Sequence, residues 1–313
     1  MVLAATRLSQ GRLIESVDLS EQAYQLGTEI GHTIVQFNAT FSIAVQYMVA
    51  ARAPRIALDW IDRAFAAEHI VVGPSRRAIL LCSRAAALGR SVGRDAYDTV
   101  HADMAPHPRV YWCCNLARLR DGDFLHYAEY RTTDILVPSI FMFEAGGIVH
   151  AFRKHGDLEQ AETIARDTLA RTEHHTTQAA TFDLPAELAL VLLAQGRTGD
   201  AAELLDTAAA PAGAETIGAL PAVFDLARSA LALAQHEPAN AIQHATAAID
   251  LAARHGDGLL EFDARVALAH AQATSGNTTG ACDAFDTALA LAERLGLGLP
   301  WTDPVHAARA TLT

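Results

Sequence analysis

The sequence predicts an all-α protein, a right-handed superhelical solenoid of about eight antiparallel helix hairpins in a single domain that spans residues 1–313. Three observations support this fold class. A 40-residue repeat runs through the second half of the chain, apolar residues within each repeat recur at steps of three and four, and no segment alternates as a β-strand would.

The 40-residue ladder consists of turn positions, each followed five residues later by an alanine. The turns are predicted near Gly156, Gly196, His236 and Gly276, and the alanines are Ala161, Ala201, Ala241 and Ala281. Glycine permits the backbone angles of a helix end, and alanine removes bulk where two helices approach closely. Regular 40-residue repeats are therefore expected over 147–313.

Towards the N-terminus the repeats diverge, and over 1–146 their spacing drifts from about 33 to about 42 residues. The segments 11–27, 53–67, 89–100 and 122–130 each resemble a turn followed by a second helix. They predict further turns near Gly89 and Gly122. In such an array each hairpin is expected to pack only on its neighbours.

The amino-acid composition argues against several functional classes. The hydrophobic fraction is 51% and no apolar run approaches the roughly 20 residues of a membrane span. The net charge is −12, and residues 157–313 carry 21 acidic groups against 8 basic ones, which argues against direct nucleic-acid binding. No secretory signal is visible and the four cysteines form no disulfide framework, so we expect a cytoplasmic protein.

The repeat consists of an apolar helix, then G-(D/R)-x-x-x-A opening a second helix, then L-A-x-R-x-G, as in DLAARHGDG at 250–258 and ALAERLGLG at 290–298. This pattern resembles the tetratricopeptide-like (TPR-like) sensor region of the LuxR-family, MalT-like large ATP-binding bacterial transcriptional regulators. In that family the helical region lies between an ATPase module and a helix-turn-helix, and it senses inducers or holds partner proteins. The sequence contains no GxxxxGK[ST] phosphate loop and no recognition-helix segment. It is expected to be either a fragment or a stand-alone relative.

The sequence contains few of the residue patterns that are typical of a catalytic site. His174 and His175 point about 100° apart on a helix, and no HExxH or paired CxxC pattern occurs, so no metal site is predicted. Cys113 and Cys114 would need a nearby histidine to act as nucleophiles, and buried structural thiols are favoured. We therefore predict a non-enzymatic protein without a cofactor.

Aromatic residues are concentrated in one stretch, since residues 111–152 hold eight of the 20 in the chain. Tyrosine, tryptophan and arginine on a concave face offer large rigid contact areas with polar tips. The predicted ligand- or partner-binding residues are Tyr111, Trp112, Tyr127, Tyr130 and Arg131. The alternative is that these large side chains fill a wider gap between helices.

These features predict a non-catalytic ligand- or protein-binding module, the sensor or regulatory part of a bacterial transcriptional activator. Its partner would be a small-molecule effector or a protein or peptide, with no membrane contact, and association into a homo-oligomer stays open. Two alternatives remain: an enzyme on a helical-repeat scaffold with a pocket near 111–152, and a protein–protein assembly adaptor.

Overall fold

The computed structural model describes residues 2–66, 74–93, 138–173, 182–210 and 212–312, together with residues 96 and 99. These residues form α-helices joined by short turns, and no strand occurs among them. The first five helices are α1 (Val2–Ser9), α2 (Leu13–Glu29), α3 (Thr33–Val45), α4 (Pro54–Ala66) and α5 (Pro74–Ser91). A π-helical segment, Gln46–Ala50, extends α3.

Nine further helices follow in the second half of the chain. They are α6 (Pro138–Lys154), α7 (Leu158–Glu173), α8 (Leu184–Ala194), α9 (Thr198–Thr207), α10 (Leu220–Ala234), α11 (Pro238–His255), α12 (Gly258–Thr274), α13 (Thr278–Leu295) and α14 (Leu299–Ala310). A short 3₁₀ turn, Ala214–Thr216, precedes α10. Consecutive helices pack against each other along the described segments.

The predicted turns of the 40-residue ladder are confirmed. Gly156, Gly196, His236 and Gly276 each take a positive φ, between 62° and 83°, two residues before the next helix begins. The turn expected near Gly89 is wrong, because α5 continues to Ser91 and the chain turns at Val92 and Gly93. Gly122 lies outside the described residues.

The recurrent alanines lie where helices touch. Ala161, Ala201, Ala241 and Ala281 are completely buried. Helix α11 shows the consequence, because the carbonyl of Ala241 comes close enough to accept a hydrogen bond of 2.9 Å from the hydroxyl of Ser229 on α10. The small side chain therefore serves the close approach that the repeat pattern predicts.

Distant parts of the chain also pack together, so the expectation that each hairpin packs only on its neighbours is wrong. The backbone N–H of Leu220 donates to the carbonyl of Ala51 over 3.1 Å. Gly218 makes this approach possible, since a Cβ at that position would overlap the same carbonyl. Ala214 and Leu220 also join the hydrophobic core formed by α2, the π segment and α4. The N-terminal hairpins thus pack against the segment that leads into α10.

No helix among the described residues is long and apolar enough to cross a lipid bilayer.

Candidate functional site

The described residues hold a buried cluster of charged side chains that joins five separate parts of the chain. We call it the central charge network, and its members are Arg52, Arg90, His150, Arg153, Lys154, Asp183, Glu187, Asp257 and Asp263. Four of them are cationic side chains and four are carboxylates. Buried charges need partners of opposite sign, and this balance supplies them.

Arg52 lies at the centre of the network and has an unusual backbone. It lies two residues before α4. The equivalent turn positions before later helices, residues 156, 196 and 276, are glycines. The φ of Arg52, 56°, is costly for a residue with a side chain. The preceding π-helical segment is a second irregularity of the kind found at functional sites. The fold keeps arginine here because its side chain, 3% exposed, carries contacts that glycine lacks.

Asp257 connects the N-terminal helices to the C-terminal ones. Its Oδ2 accepts hydrogen bonds from Nε of Arg52, at 3.2 Å, and from Nη1 of Arg90, at 2.9 Å. Its other oxygen caps α12 by accepting from the N–H of Leu260. Burial acts to raise the pKa of this carboxyl, but Arg90 and Arg52 outweigh it and hold the pKa below its usual range. Asp257 is therefore ionised at neutral pH.

Helix α8 supplies the next two carboxylates. Asp183, just before the helix, accepts from Nη1 of Arg52 at 3.0 Å, and Glu187 lies 3.9 Å from the same nitrogen. Gly146 on α6 leaves room for Asp183, since a Cβ there would lie 2.5 Å from its Oδ2. Burial raises the pKa of Asp183, Arg52 opposes this and Glu187 adds to it. Among the network carboxylates whose pKa is shifted, Asp183 therefore protonates most readily.

Helix α6 contributes the second half of the network. His150 lies between two carboxylates, with Nε2 2.8 Å from Asp263 and Nδ1 3.7 Å from Glu187. Burial lowers the pKa of His150 in spite of these carboxylates, so the ring is neutral at pH 7. Lys154 lies 2.6 Å from the other oxygen of Asp263. Burial would raise the pKa of Asp263, but the ammonium of Lys154 and a hydrogen bond with His150 hold it well below its usual range.

Aromatic rings cover the Lys154 end of the network. The Trp301 ring on α14 lies 5.1 Å from the His150 ring. The ammonium of Lys154 lies 5.6 Å from the Trp301 ring centroid and 5.7 Å from that of Phe262, within cation–π range. Among the described residues, no hydrogen-bond partner is found for the buried indole N–H of Trp301 or for the buried Nε of Arg153.

The binding residues predicted from the sequence are not members of the central charge network. Tyr111, Trp112, Tyr127, Tyr130 and Arg131 all lie outside the described residues, so that site stays a prediction. Cys113, Cys114 and the adjacent histidines 174 and 175 also lie outside them. In the part of the chain that is described, no group of three or more His, Cys, Asp or Glu side chains is arranged to hold a metal ion.

Sequence reasoning missed the central charge network. Its members are spread from residue 52 to residue 263, and tertiary packing brings them together. One signal was accessible: Arg52 lies two residues before Pro54, the same spacing from turn to helix start as on the ladder. A second was Lys154, because it is the chain's one lysine among 24 basic residues.

Comparison of the chain with models of known protein families finds no match, and comparison with curated proteins finds none either. The regulator resemblance thus depends on the repeat pattern alone.

Proposed function

We propose that this chain is a non-catalytic, TPR-like binding module, the sensor or regulatory part of a bacterial transcriptional activator that works in the cytoplasm. In this proposal the helices form a right-handed superhelical solenoid. A small-molecule effector or a protein partner binds the module, and the module itself does not bind DNA. The chemistry of the regulator then resides in other domains or subunits.

The observation that carries the proposal is the position of Arg52. A strained arginine replaces the usual turn glycine and ties the third and fourth helices to Asp257, which lies 205 residues further along the chain. Backbone strain of this kind is concentrated at switch regions and ligand clamps. A binding event that disturbs the network would change the contact between the two ends of the repeat array, which is the property a sensor needs.

The pairing inside the network supports a binding role over a catalytic one. The carboxylates Asp257 and Asp263 are engaged by Arg52, Arg90 and Lys154, and their lowered pKa values make them poor proton acceptors. A general base is most effective when its pKa is near the working pH. Such paired charges suit recognition of an ionic group better than proton transfer.

The test combines two measurements. In cells that contain the protein, deletion of the coding segment is expected to change a defined set of transcripts. Native mass spectrometry of the purified chain, mixed with a metabolite extract, is expected to show added mass that disappears on denaturation. Unchanged transcripts together with equal native and denatured masses would contradict the proposal. Consumption of a metabolite by the chain, but not by the heat-treated chain, would favour the enzyme alternative.

The adaptor alternative is favoured by a separate observation. The first three helices and the turn after α2 expose several large apolar side chains, namely Val2, Leu3, Leu26, Ile30 and Ile34. Apolar surface at the end of a repeat array marks a site where another unit docks. If the chain is an adaptor, the Leu26→Ser, Ile30→Ser variant should lose a complex that the unmodified chain forms, as seen by light scattering after size-exclusion chromatography. An unchanged mass would count against this alternative.

A further inference from the structure

Helix α2 and its C-cap carry an apolar stripe whose second half no described helix covers. The α2 stripe consists of Leu19, Ala23, Leu26 and Ile30, which recur at steps of four, three and four residues and so line one side of the helix. Leu26 and Ile30 are 57% and 64% exposed, and Leu19 and Ala23 are half-buried. The core-facing side of α2 is made of other residues, namely Leu13, Ser16, Val17, Ser20 and Gly27.

Helix α1 packs on the first half of α2 only. The hydroxyl of Ser16 on α2 donates to the carbonyl of Ala4 on α1 over 2.7 Å. The two helices are antiparallel, because a short turn joins them, so the start of α1 lies about level with Asp18. At 1.5 Å per residue, about 17 Å of α2, from Leu19 to Ile30, extends past α1. This part of α2 lacks the helix neighbour that the first half has.

The apolar surface continues onto α3. A Cβ at Gly27 would lie 3.0 Å from Cγ1 of Val35, so the first turn of α3 lies against the last turn of α2. Ile34, in that first turn, is 43% exposed and adds to the surface around Ile30. A contiguous exposed apolar surface of this kind marks a site where another macromolecule docks.

The polar residues of α2 are acidic. The helix contains four acidic residues and no lysine or arginine. Glu15, in the first turn, pairs with Arg12 and Arg7. Asp18 and Glu29 are exposed, and no ion-pair partner is found for either among the described residues. Glu29 lies in the last turn, where the helix dipole favours a cation. Positive charge on a partner is therefore favoured along the uncovered half of α2.

We propose that the α2 stripe binds an amphipathic helix of a partner protein, in which basic residues flank an apolar face. This inference rests on the proposed function, since it names the protein partner of that binding module. About 11–12 helical residues cover the uncovered length. Ala23, a small residue within the stripe, lets the partner helix approach closely. A second copy of α2 is disfavoured, because it would bring the same acidic residues towards Asp18 and Glu29.

A synthetic helix tests the proposal directly. The probe is a fluorescein-labelled peptide of about 14 residues, with leucines at the spacing of the α2 stripe and lysines beside them. One control peptide has the same residues in scrambled order, and a second has glutamate in place of lysine. Fluorescence anisotropy is expected to show saturable binding of the lysine peptide and at least about tenfold weaker binding of both controls. Equal affinities, or no saturable binding, would overturn the inference.

Variants of the chain locate the binding surface. Leu26→Ser, Ile30→Ser should weaken binding of the lysine peptide at least about tenfold. Leu299→Ser is the matched control, because Leu299 is an apolar residue of α14 that is 69% exposed, and it should leave binding unchanged. Glu29→Lys should weaken binding of the lysine peptide severalfold and strengthen that of the glutamate peptide. Undiminished binding in Leu26→Ser, Ile30→Ser would overturn the assignment to α2.

Light scattering of the purified chain tests the competing occupant, a second copy. The mass of a single chain is expected. A dimer that Leu26→Ser, Ile30→Ser dissociates would overturn the inference. Failure here also differs from failure of the proposed function. An effector found by native mass spectrometry, for a chain that binds none of the peptides, would overturn this inference and leave the binding module standing.

Discussion

At the scale of single residues, the turn position of the hairpin distinguishes a structural role from a functional one. His236 and Arg52 are the two described residues other than glycine with a positive φ. His236 is exposed, and Arg52 is buried in the central charge network. The same backbone strain is thus incidental at one position and tied to specific contacts at the other.

This distinction predicts opposite effects of glycine at the two positions. His236→Gly should raise the free energy of unfolding by about 0.5–1 kcal/mol, because glycine adopts a positive φ without strain. Arg52→Gly should lower it by about 3 kcal/mol or more, since buried carboxylates lose their partner. Urea unfolding followed by circular dichroism measures both. Gly196→Ala, which meets no neighbouring atom, is the control and should cost about 1 kcal/mol through strain alone.

The buried histidines predict how stability depends on pH. Burial lowers the pKa of His150, and it lowers that of His255, whose Nε2 lies 3.2 Å from the carbonyl of Glu215. The folded state then holds fewer protons than the unfolded chain, so stability is lost as the pH falls through about 6.5. Asp183 acts in the opposite sense, because its raised pKa favours proton uptake by the folded state.

Unfolding free energies at pH 7.5 and 5.5 test this dependence. A loss of up to about 1.4 kcal/mol per pH unit is expected for each histidine below its unfolded pKa. His150→Gln and His255→Gln should each show a smaller loss than the unmodified chain. Equal losses in all three proteins would show that these rings do not titrate as described.

At the scale of the element, the repeat pattern predicted the turns and the buried alanines but not the glycine on α6. A period of 40 residues is visible because the same backbone turn recurs, and Gly156, Gly196 and Gly276 mark it directly. The turn predicted near Gly89 was misplaced because glycine is tolerated inside a helix. Gly89 is a buried residue of α5. Gly146 carries no local signal, since its role is to admit a carboxylate from a different helix.

Gly146→Ala tests the fit between α6 and Asp183. Alanine favours a helix by about 1 kcal/mol over glycine, yet here its Cβ would lie 2.5 Å from Oδ2 of Asp183. We expect the clash to dominate, with a net loss of about 1–3 kcal/mol in thermal or urea unfolding. Gly199→Ala on α9 meets no neighbouring atom and should stabilise by up to about 1 kcal/mol. A stabilised Gly146→Ala protein would contradict the described contact.

The ladder alanines give a second prediction for the helix pairs. Ala241→Leu and Ala281→Leu should each destabilise by roughly 1–3 kcal/mol, because both positions are completely buried and have no room for three more carbons. Melting temperatures measure the effect. Ala202→Leu on α9 is partly exposed and should change little. Melting temperatures unaffected by both buried substitutions would mean that these helix contacts are misplaced.

At the scale of the whole molecule, the all-helical class followed from sequence periodicity, whereas the packing of distant hairpins did not. Periodicity reports contacts within and between adjacent helices, and these recur with the repeat. The contact between Arg52 and Asp257 is made once, between residues 205 positions apart, and no repeating pattern encodes it. The candidate site therefore emerged from the structure, while the aromatic segment predicted from sequence awaits its own test.

We expect the central charge network to couple the N-terminal hairpins to the C-terminal ones. A double-mutant cycle of Arg52→Met and Asp257→Asn measures this coupling, since asparagine can still cap α12. The exposed pair Arg309 and Asp286 provides the control cycle and should give less than about 1 kcal/mol. A coupling free energy of about 2 kcal/mol or more is expected between Arg52 and Asp257. A value within about 0.5 kcal/mol of zero would contradict it.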